Sequence, residues 1–275
     1  MKKCLRCLCQ APLSAKIGIL LIISYSFVAI FAPWLAPYGE TEVVGDGYAA
    51  WSPEFWLGTD NLGRDVLSRL IYGARNTISI AFVTTILAFV VGGLAGLMAA
   101  IKGGWIDQGL SRVVDILMAI PQLIFALLIL SVVGTNAVSL ILVIALLDAT
   151  RVFRLSRAVA MNVVVQDFVE AARLRGEGLV WLIWREVLPN TLPPLVAEFG
   201  LRFCFVFLFI SALSFLGLGI QPPTADWGSM VRENAVMISF GDFTPLLPAM
   251  AVALLTIGVN FVVDWVLHKT SGLKG

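Results

Sequence analysis

Four stretches of this chain run for more than twenty residues without a charged side chain: Ile17–Gly39, Asn76–Ile101, Phe203–Ala225 and Phe243–Val263. A bilayer core about 30 Å thick is crossed by about 20 apolar residues in a helix. Only a helix or a closed barrel satisfies the backbone there, because no water reaches it. Each run is therefore expected to form one span. A fifth run, Ile116–Leu147, holds 32 uncharged residues, long for one helix and short for two. Gly134-Thr135-Asn136 in its middle is a turn signal. Two spans fit if they extend past Asp115 and Asp148. Composition agrees: 13% of the 275 residues are charged and mean hydropathy is +0.92, against about 25% charged in soluble domains. The reading is an all-α membrane protein with six transmembrane helices.

Charge placement decides between five spans and six. With six, the basic residues Lys2, Lys3, Arg6, Lys16, Lys102, Arg112, Arg151, Arg154, Arg157, Arg173, Arg175, Arg185, Lys269 and Lys274 share one side, 14 of the 19 Lys and Arg. Arg64, Arg69, Arg75 and Arg232 take the other. The positive-inside rule makes the first side cytoplasmic, with both termini there. Five spans would send the Arg-rich 151–185 segment outside. The expected organisation is a cytoplasmic tail over 1–16, a membrane unit over 17–267 and a cytoplasmic tail over 268–275. Within the membrane unit lie outer segments at 40–75 and 220–242 and a cytoplasmic loop at about 154–193. Both outer segments carry more acid than base. Gly63–Arg75 puts Val66, Leu67, Leu70 and Ile71 on one helical face, which suits an interfacial helix or a lead-in to the second span. Asp65 and Arg69 have i,i+4 spacing.

The net charge of +1 gives no reason to expect nucleic acid. The basic start and the apolar run after it outline a signal peptide. No small-x-small site follows, however, and the run is long enough to span, so a retained first helix is expected. Cys4, Cys7 and Cys9 form C-x2-C-x-C without a second ligand pair, and read as unpaired thiols on a tail rather than a metal site. No H-E-x-x-H, G-x-S-x-G or G-x-x-x-x-G-K-[ST] motif is present. The chain thus offers no catalytic constellation, no cofactor site and no phosphate loop of its own. Asp115, Asp148, Glu198, Arg202 and Asp264 lie within or beside spans. They are expected near the cytoplasmic ends, with Glu198 and Arg202 as an i,i+4 pair. No chain of carboxylates crosses the membrane, which argues against a stand-alone ion-driven carrier or channel. Gly92 and Gly96 form a small-xxx-small step that favours close helix packing.

The energy source must then be a partner, and the polar loop before the fifth span is the place to meet it. Asp167 is expected to cap a helix, with Glu170 three residues on. Glu170-Ala171-Ala172-Arg173-Leu174-Arg175 favours helix, and Gly176 and Gly178 break it. A second helix, Leu179–Val187, is expected to end before Pro189. The two alanines leave room for a partner to approach closely.

Glu170-Ala171-Ala172-x3-Gly176, followed by Leu188-Pro189, resembles the EAA loop of permease subunits of bacterial ABC importers. Glu186 stands where that family often has Ile. Trp56–Leu70, reading WLGTDNLGRDVLSRL, resembles the segment before the second span in the dipeptide, oligopeptide and nickel permeases, on the C-type subunit. Ser214–Thr224 and Asp226-Trp227-Gly228 resemble the segment after the fifth span of the same group. The three matches lie in order along residues 17–265. The resemblance implies a type I ABC importer permease fold in a bacterial inner membrane. It also implies a homologous second permease, two ATP-binding subunits that hydrolyse ATP, and an extracytoplasmic solute-binding protein. Glu170, Ala171, Ala172, Gly176, Leu188 and Pro189 would form the coupling surface for the ATPase. Cargo would be di- or oligopeptides, or alternatively nickel and metal chelates or sugar and opine conjugates.

Overall fold

The computed structural model describes residues 11–270. The Cys4, Cys7 and Cys9 tail lies outside the described residues. Among the described residues there is no β-strand, only two isolated bridges, Val43 to Arg64 and Thr59 to Asp65. The helices, in chain order, are α1 (Leu13–Leu35), α2 (Val66–Lys102), α3 (Gly104–Ala119), α4 (Gln122–Val133), α5 (Ala137–Val164), α6 (Asp167–Leu174), α7 (Leu179–Phe215), α8 (Trp227–Asn234) and α9 (Leu246–Thr270).

α1, α2, α7 and α9 are each long and apolar enough to cross a membrane. α3 and α4 together make a fifth candidate, bent by 88° at their junction. Ile120 is extended at that break, as the residue before a proline prefers. The expected turn at 134–136 is present, and Asn136 caps α5 by accepting from the Ser139 amide at 2.8 Å. α5 is 28 residues long. From Asp148 onward it carries Arg151, Arg154 and Arg157, so only the stretch before Asp148 is apolar in the way a span requires. The 32-residue run has therefore become a short helix of 12 residues and the beginning of a long charged one.

The span expected over Phe203–Ala225 is displaced from its expected place. Phe203–Ala225 is not one helix: α7 begins at Leu179 and stops at Phe215. Beyond it, Gly217 takes φ +90°, open to glycine and strained for other residues. α7 also does not end before Pro189. A π turn over Leu182–Val187 shifts the hydrogen-bond register, with the Leu188 amide donating to the Ile183 carbonyl. The helix runs on through Pro189, Pro193 and Pro194. Asn190 donates its side-chain amide to the Glu186 carbonyl at 2.6 Å, serving an acceptor in the proline-rich turn.

α1 packs on α9, and α2 packs on α5 along most of its second half. Gly92 and Gly96 lie at that crossing. A Cβ on Gly96 would stand 2.7 Å from the Phe153 carbonyl oxygen, so the small-xxx-small step lets the two backbones touch. In lipid, where apolar surface gains little by leaving its surroundings, such close contact is what holds helices together.

The end of the bundle built from residues 36–65 and 216–245 is closed by ion pairs. Asp65 does not pair with Arg69. It caps α2, accepting from the Ser68 amide at 2.7 Å, and Gly63–Arg75 is the lead-in to α2 rather than a separate helix. Arg69 instead reaches Asp60 at 2.8 Å and Glu233 at 3.4 Å. Arg64 reaches the same two acids at 2.7 Å and 3.1 Å. Burial pushes the Glu233 carboxyl above its ordinary value, while Arg64 pulls it down.

Candidate functional site

The opposite end of the bundle carries the loop between α5 and α7. α6 starts one residue earlier than expected: Gln166 is the N-cap, without a side-chain cap bond, and Asp167 is the first helical residue. Asp167 and Glu170 stand in the first turn, where carboxylates suit the positive end of the helix. At the other end, the Gly176 amide bonds the Arg173 carbonyl at 2.9 Å and the Glu177 amide bonds Ala172 at 3.2 Å. Gly176 takes φ +81°. This is the Schellman stop, which a left-handed glycine completes. The chain then turns back into α7.

α6 sorts its residues onto two faces. Val169 and Ala172 are fully buried in a cluster with Leu97, Ile101, Ala160, Leu182, Ile183 and Val187. Arg173 fixes α6 to the end of α2 by donating to the Ile101 carbonyl at 2.9 Å. Phe168, Glu170, Ala171 and Leu174 face outward, and Leu174 is 83% exposed. The expected site residues therefore divide. Glu170, Ala171, Gly176 and Pro189 are exposed, Leu188 is partly buried against the cluster, and Ala172 is wholly inside it. Ala172 lets α6 lie close on α2 and α5, whereas Ala171 leaves the outer face low. Phe168 and Leu174, absent from the sequence-derived set, add apolar surface on either side of Ala171. Their i, i+3, i+6 spacing was the available signal. Glu186 is half-buried in the π turn, between the buried Ile183 and Val187.

Glu198 and Arg202 do pair, at 2.7 Å, but both lie well inside α7. Asp148 is fully buried, with Arg202 3.6 Å away. Neither Asp148 carboxylate oxygen has a hydrogen-bond partner. Asp115 pairs with Arg154 at 2.6 Å on an exposed surface.

Residues 92–269, spanning the second half of α2 to the end of α9, match the family of binding-protein-dependent transport system inner membrane components. The chain belongs to this family. It is a multi-pass inner-membrane permease component of a transport system. Among its relatives is the Di/tripeptide transport system permease protein DppC of Pseudomonas aeruginosa, 35% identical over 254 residues, covering 90% of this chain and 84% of that protein. The Dipeptide transport system permease protein DppC of Escherichia coli K12 is 34% identical over 259 residues, covering 91% and 86%. These relatives extend the likeness beyond the family match, into the residues before 92. Among solved structures, a chain of the MetNI methionine ABC transporter in inward-facing conformations aligns with TM-score 0.54 at 19% identity. That alignment covers 73% of this chain and 97% of the other. A chain of an amino acid ABC transporter aligns with TM-score 0.52 at 17% identity. At these identities the likeness is one of fold: this permease has the helical architecture of ABC importer membrane subunits.

Proposed function

We propose that this permease forms half of the translocation path of an ATP-driven importer of di- and oligopeptides. A homologous second permease completes the path. Two ATP-binding subunits supply the energy, and an extracytoplasmic solute-binding protein delivers cargo. The observation that carries this reading is the outward ridge of α6, with Phe168, Glu170, Ala171 and Leu174 exposed on a helix whose other face is locked into the bundle. A rigid, partly apolar knob at the end of a membrane protein suits the groove of a partner. The printed names of the relatives support peptide as cargo. The distribution of basic residues supports a cytoplasmic loop and cytoplasmic termini. Counting the bent α3–α4 pair and α5 as spans three and four gives six crossings.

The mechanism is a lever. α7 is one helix of 37 residues, about 55 Å at 1.5 Å per residue. Its first turns pack against α6. Closure of the ATPase pair on ATP pushes the α6 knob, and the continuous α7 carries that displacement across the bilayer. The path then opens to the outside, and hydrolysis resets it. Residues 40–75 and 220–242, held together by the Asp60–Arg64–Arg69–Glu233 pairs, receive the binding protein.

The test is reconstitution of the complete complex with the variants Glu170→Lys and Leu174→Glu. Uptake of a dipeptide is expected to fall to background and the ATPase subunits to dissociate, with this chain still folded. If ATP-driven uptake continues at its normal rate with both variants, the coupling assignment is wrong. If the unaltered complex takes up dipeptide without ATP, the importer reading is wrong.

A further inference from the structure

α3 and α5 run antiparallel and are tied by two charged rungs. Arg157 pairs with Asp107, and Arg154 with Asp115 at 2.6 Å. The next arginine along α5 is Arg151, and the facing stretch offers it no acid, reading Leu117-Met118-Ala119-Ile120-Pro121-Gln122. Among the described residues Arg151 makes no ion pair, and its guanidinium lies over the Phe205 ring at 4.4 Å. Between Arg151 and the α3–α4 bend is a cavity of about 200 Å³, lined by Leu117, Met118, Pro121, Gln122 and Thr150 as well as Arg151.

The polar groups left over there are donors. The Gln122 side-chain nitrogen is buried without a hydrogen-bond partner. The first amides of α4 have no side-chain cap. The Thr150 hydroxyl proton is already committed to the Leu147 carbonyl at 2.7 Å. The nearest buried acid, Asp148, interacts electrostatically with Arg151 but forms its ion pair with Arg202, which is also held by Glu198. A guanidinium, an unpartnered side-chain amide N–H and a helix N-terminus are donors suited to an anion.

Depth sharpens the point. α4 has 12 residues and rises about 18 Å, short of the roughly 30 Å of hydrocarbon. α4 therefore crosses only together with part of α3, as one bent span whose 88° break falls within the crossing, where a charge is expensive and marks a functional place. Broken helices that aim an N-terminus at mid-membrane are a recurring way for transporters to meet the anionic group of a solute.

We infer that this cavity is a carboxylate subsite on the translocation path, in which Arg151 and Gln122 take the terminal carboxylate of the passing peptide. The inference rests on the peptide-importer reading above. The cavity has room for a carboxylate and the residue bearing it. A longer peptide would extend from it into the space between the two permeases. Recognition of one end alone is weak, as a path that must release its cargo requires.

The experiment uses the assembled complex in nanodiscs, with the four native cysteines replaced by serine and Met118→Cys placed in the cavity wall. The rate of methanethiosulfonate modification is followed with dialanine or dialanine amide present. Dialanine is expected to slow modification about tenfold or more, the effect of one charge-assisted contact pair, and the amide to leave it unchanged. Arg151→Gln is expected to abolish protection and Arg151→Lys to restore part of it. Equal protection by both peptides, or protection that survives Arg151→Gln, overturns the inference. So does a thiol shielded in the complex before any solute is added, which would point to an acid from the second permease. ATP-driven dialanine uptake by the same preparation tests the importer reading separately, since thiol protection does not depend on transport.

Discussion

Arg69 reaches the Asp60 carboxylate at 2.8 Å, from nine residues along the chain, with side-chain exposures of 1% and 2%. The same Asp60 oxygen also accepts from Arg64 at 2.7 Å, and its partner oxygen takes the Leu62 and Arg64 amides. One carboxylate thus holds two arginines and a loop. Glu233 meets both arginines from the far end of the sequence, but at longer range, and one of its oxygens has no partner. Removing one member of a buried ionic group strands the others, at about 3–5 kcal/mol. Asp60→Asn is expected to lower thermal stability of the purified protein by that order. Glu233→Gln, which leaves Asp60 in place, should cost about 1–2 kcal/mol. Equal losses in thermal unfolding would show that Asp60 is not the centre of the network.

The same end of the bundle depends on the fit between Gly73 and Trp227. The indole is almost fully buried and donates to the Leu70 carbonyl at 2.9 Å. A Cβ on Gly73 would lie 2.7 Å from its ring. Gly73→Ala is expected to cost about 1–3 kcal/mol by overpacking. Trp227→Phe keeps most of the ring and loses the hydrogen bond, which costs about 1 kcal/mol. Trp227 emission should shift to longer wavelength in Gly73→Ala as the ring is displaced. An unshifted spectrum with unchanged stability would refute the packing argument.

Asp226 caps α8, accepting from the Ser229 amide at 2.9 Å and the Thr77 hydroxyl at 2.9 Å. Burial pushes its carboxyl above the ordinary value, and the bonds from Ser229 and Thr77 pull it part of the way back. The folded state therefore binds this proton more tightly than the unfolded chain does. The associated stabilisation is complete below the unfolded value of about 3.9 and is lost as pH rises through the folded value. Asp226→Asn keeps an acceptor for the cap and cannot ionise. Relative to that variant, the native protein is expected to lose stability as pH rises from 4, read as a difference between two melting curves. Parallel pH profiles would contradict the assignment.

These contacts also mark what the sequence could reveal. The apolar runs announced the long helices, and Gly134-Thr135-Asn136 announced the turn, because both follow from local composition. The partners of Arg69 did not show. Asp65, at ideal helical spacing, was drawn into capping α2, while Glu233 arrives from 164 residues away. The end of α7 was equally hidden. Apolar composition continues past Phe215, but backbone conformation at Gly217 turns the chain. Pro189 suggested a stop that the π turn removes. Around the coupling loop, the helix–glycine–helix order was readable from Ala171, Gly176 and Leu179. Which alanine faces inward was not, since it depends on how α6 rolls onto α2 and α5.

That roll gives a paired prediction. Ala172 has no exposed surface and sits among Leu97, Ile101 and Val187, whereas the adjacent Ala171 is exposed. Ala172→Leu must force extra carbons into a filled cluster, at about 1–3 kcal/mol, and should lower the melting temperature of the isolated permease. Ala171→Leu meets only solvent in the isolated chain and should leave that temperature unchanged. In the assembled complex the order of effects reverses at the interface. A leucine at 171 raises the low point of the ridge between Phe168 and Leu174, so association with the ATP-binding subunits should weaken while folding is intact. Co-purification yield set beside melting temperature reads both effects for each variant. If Ala171→Leu destabilises the isolated chain as much as Ala172→Leu does, α6 is rolled differently and the outward face has been misassigned.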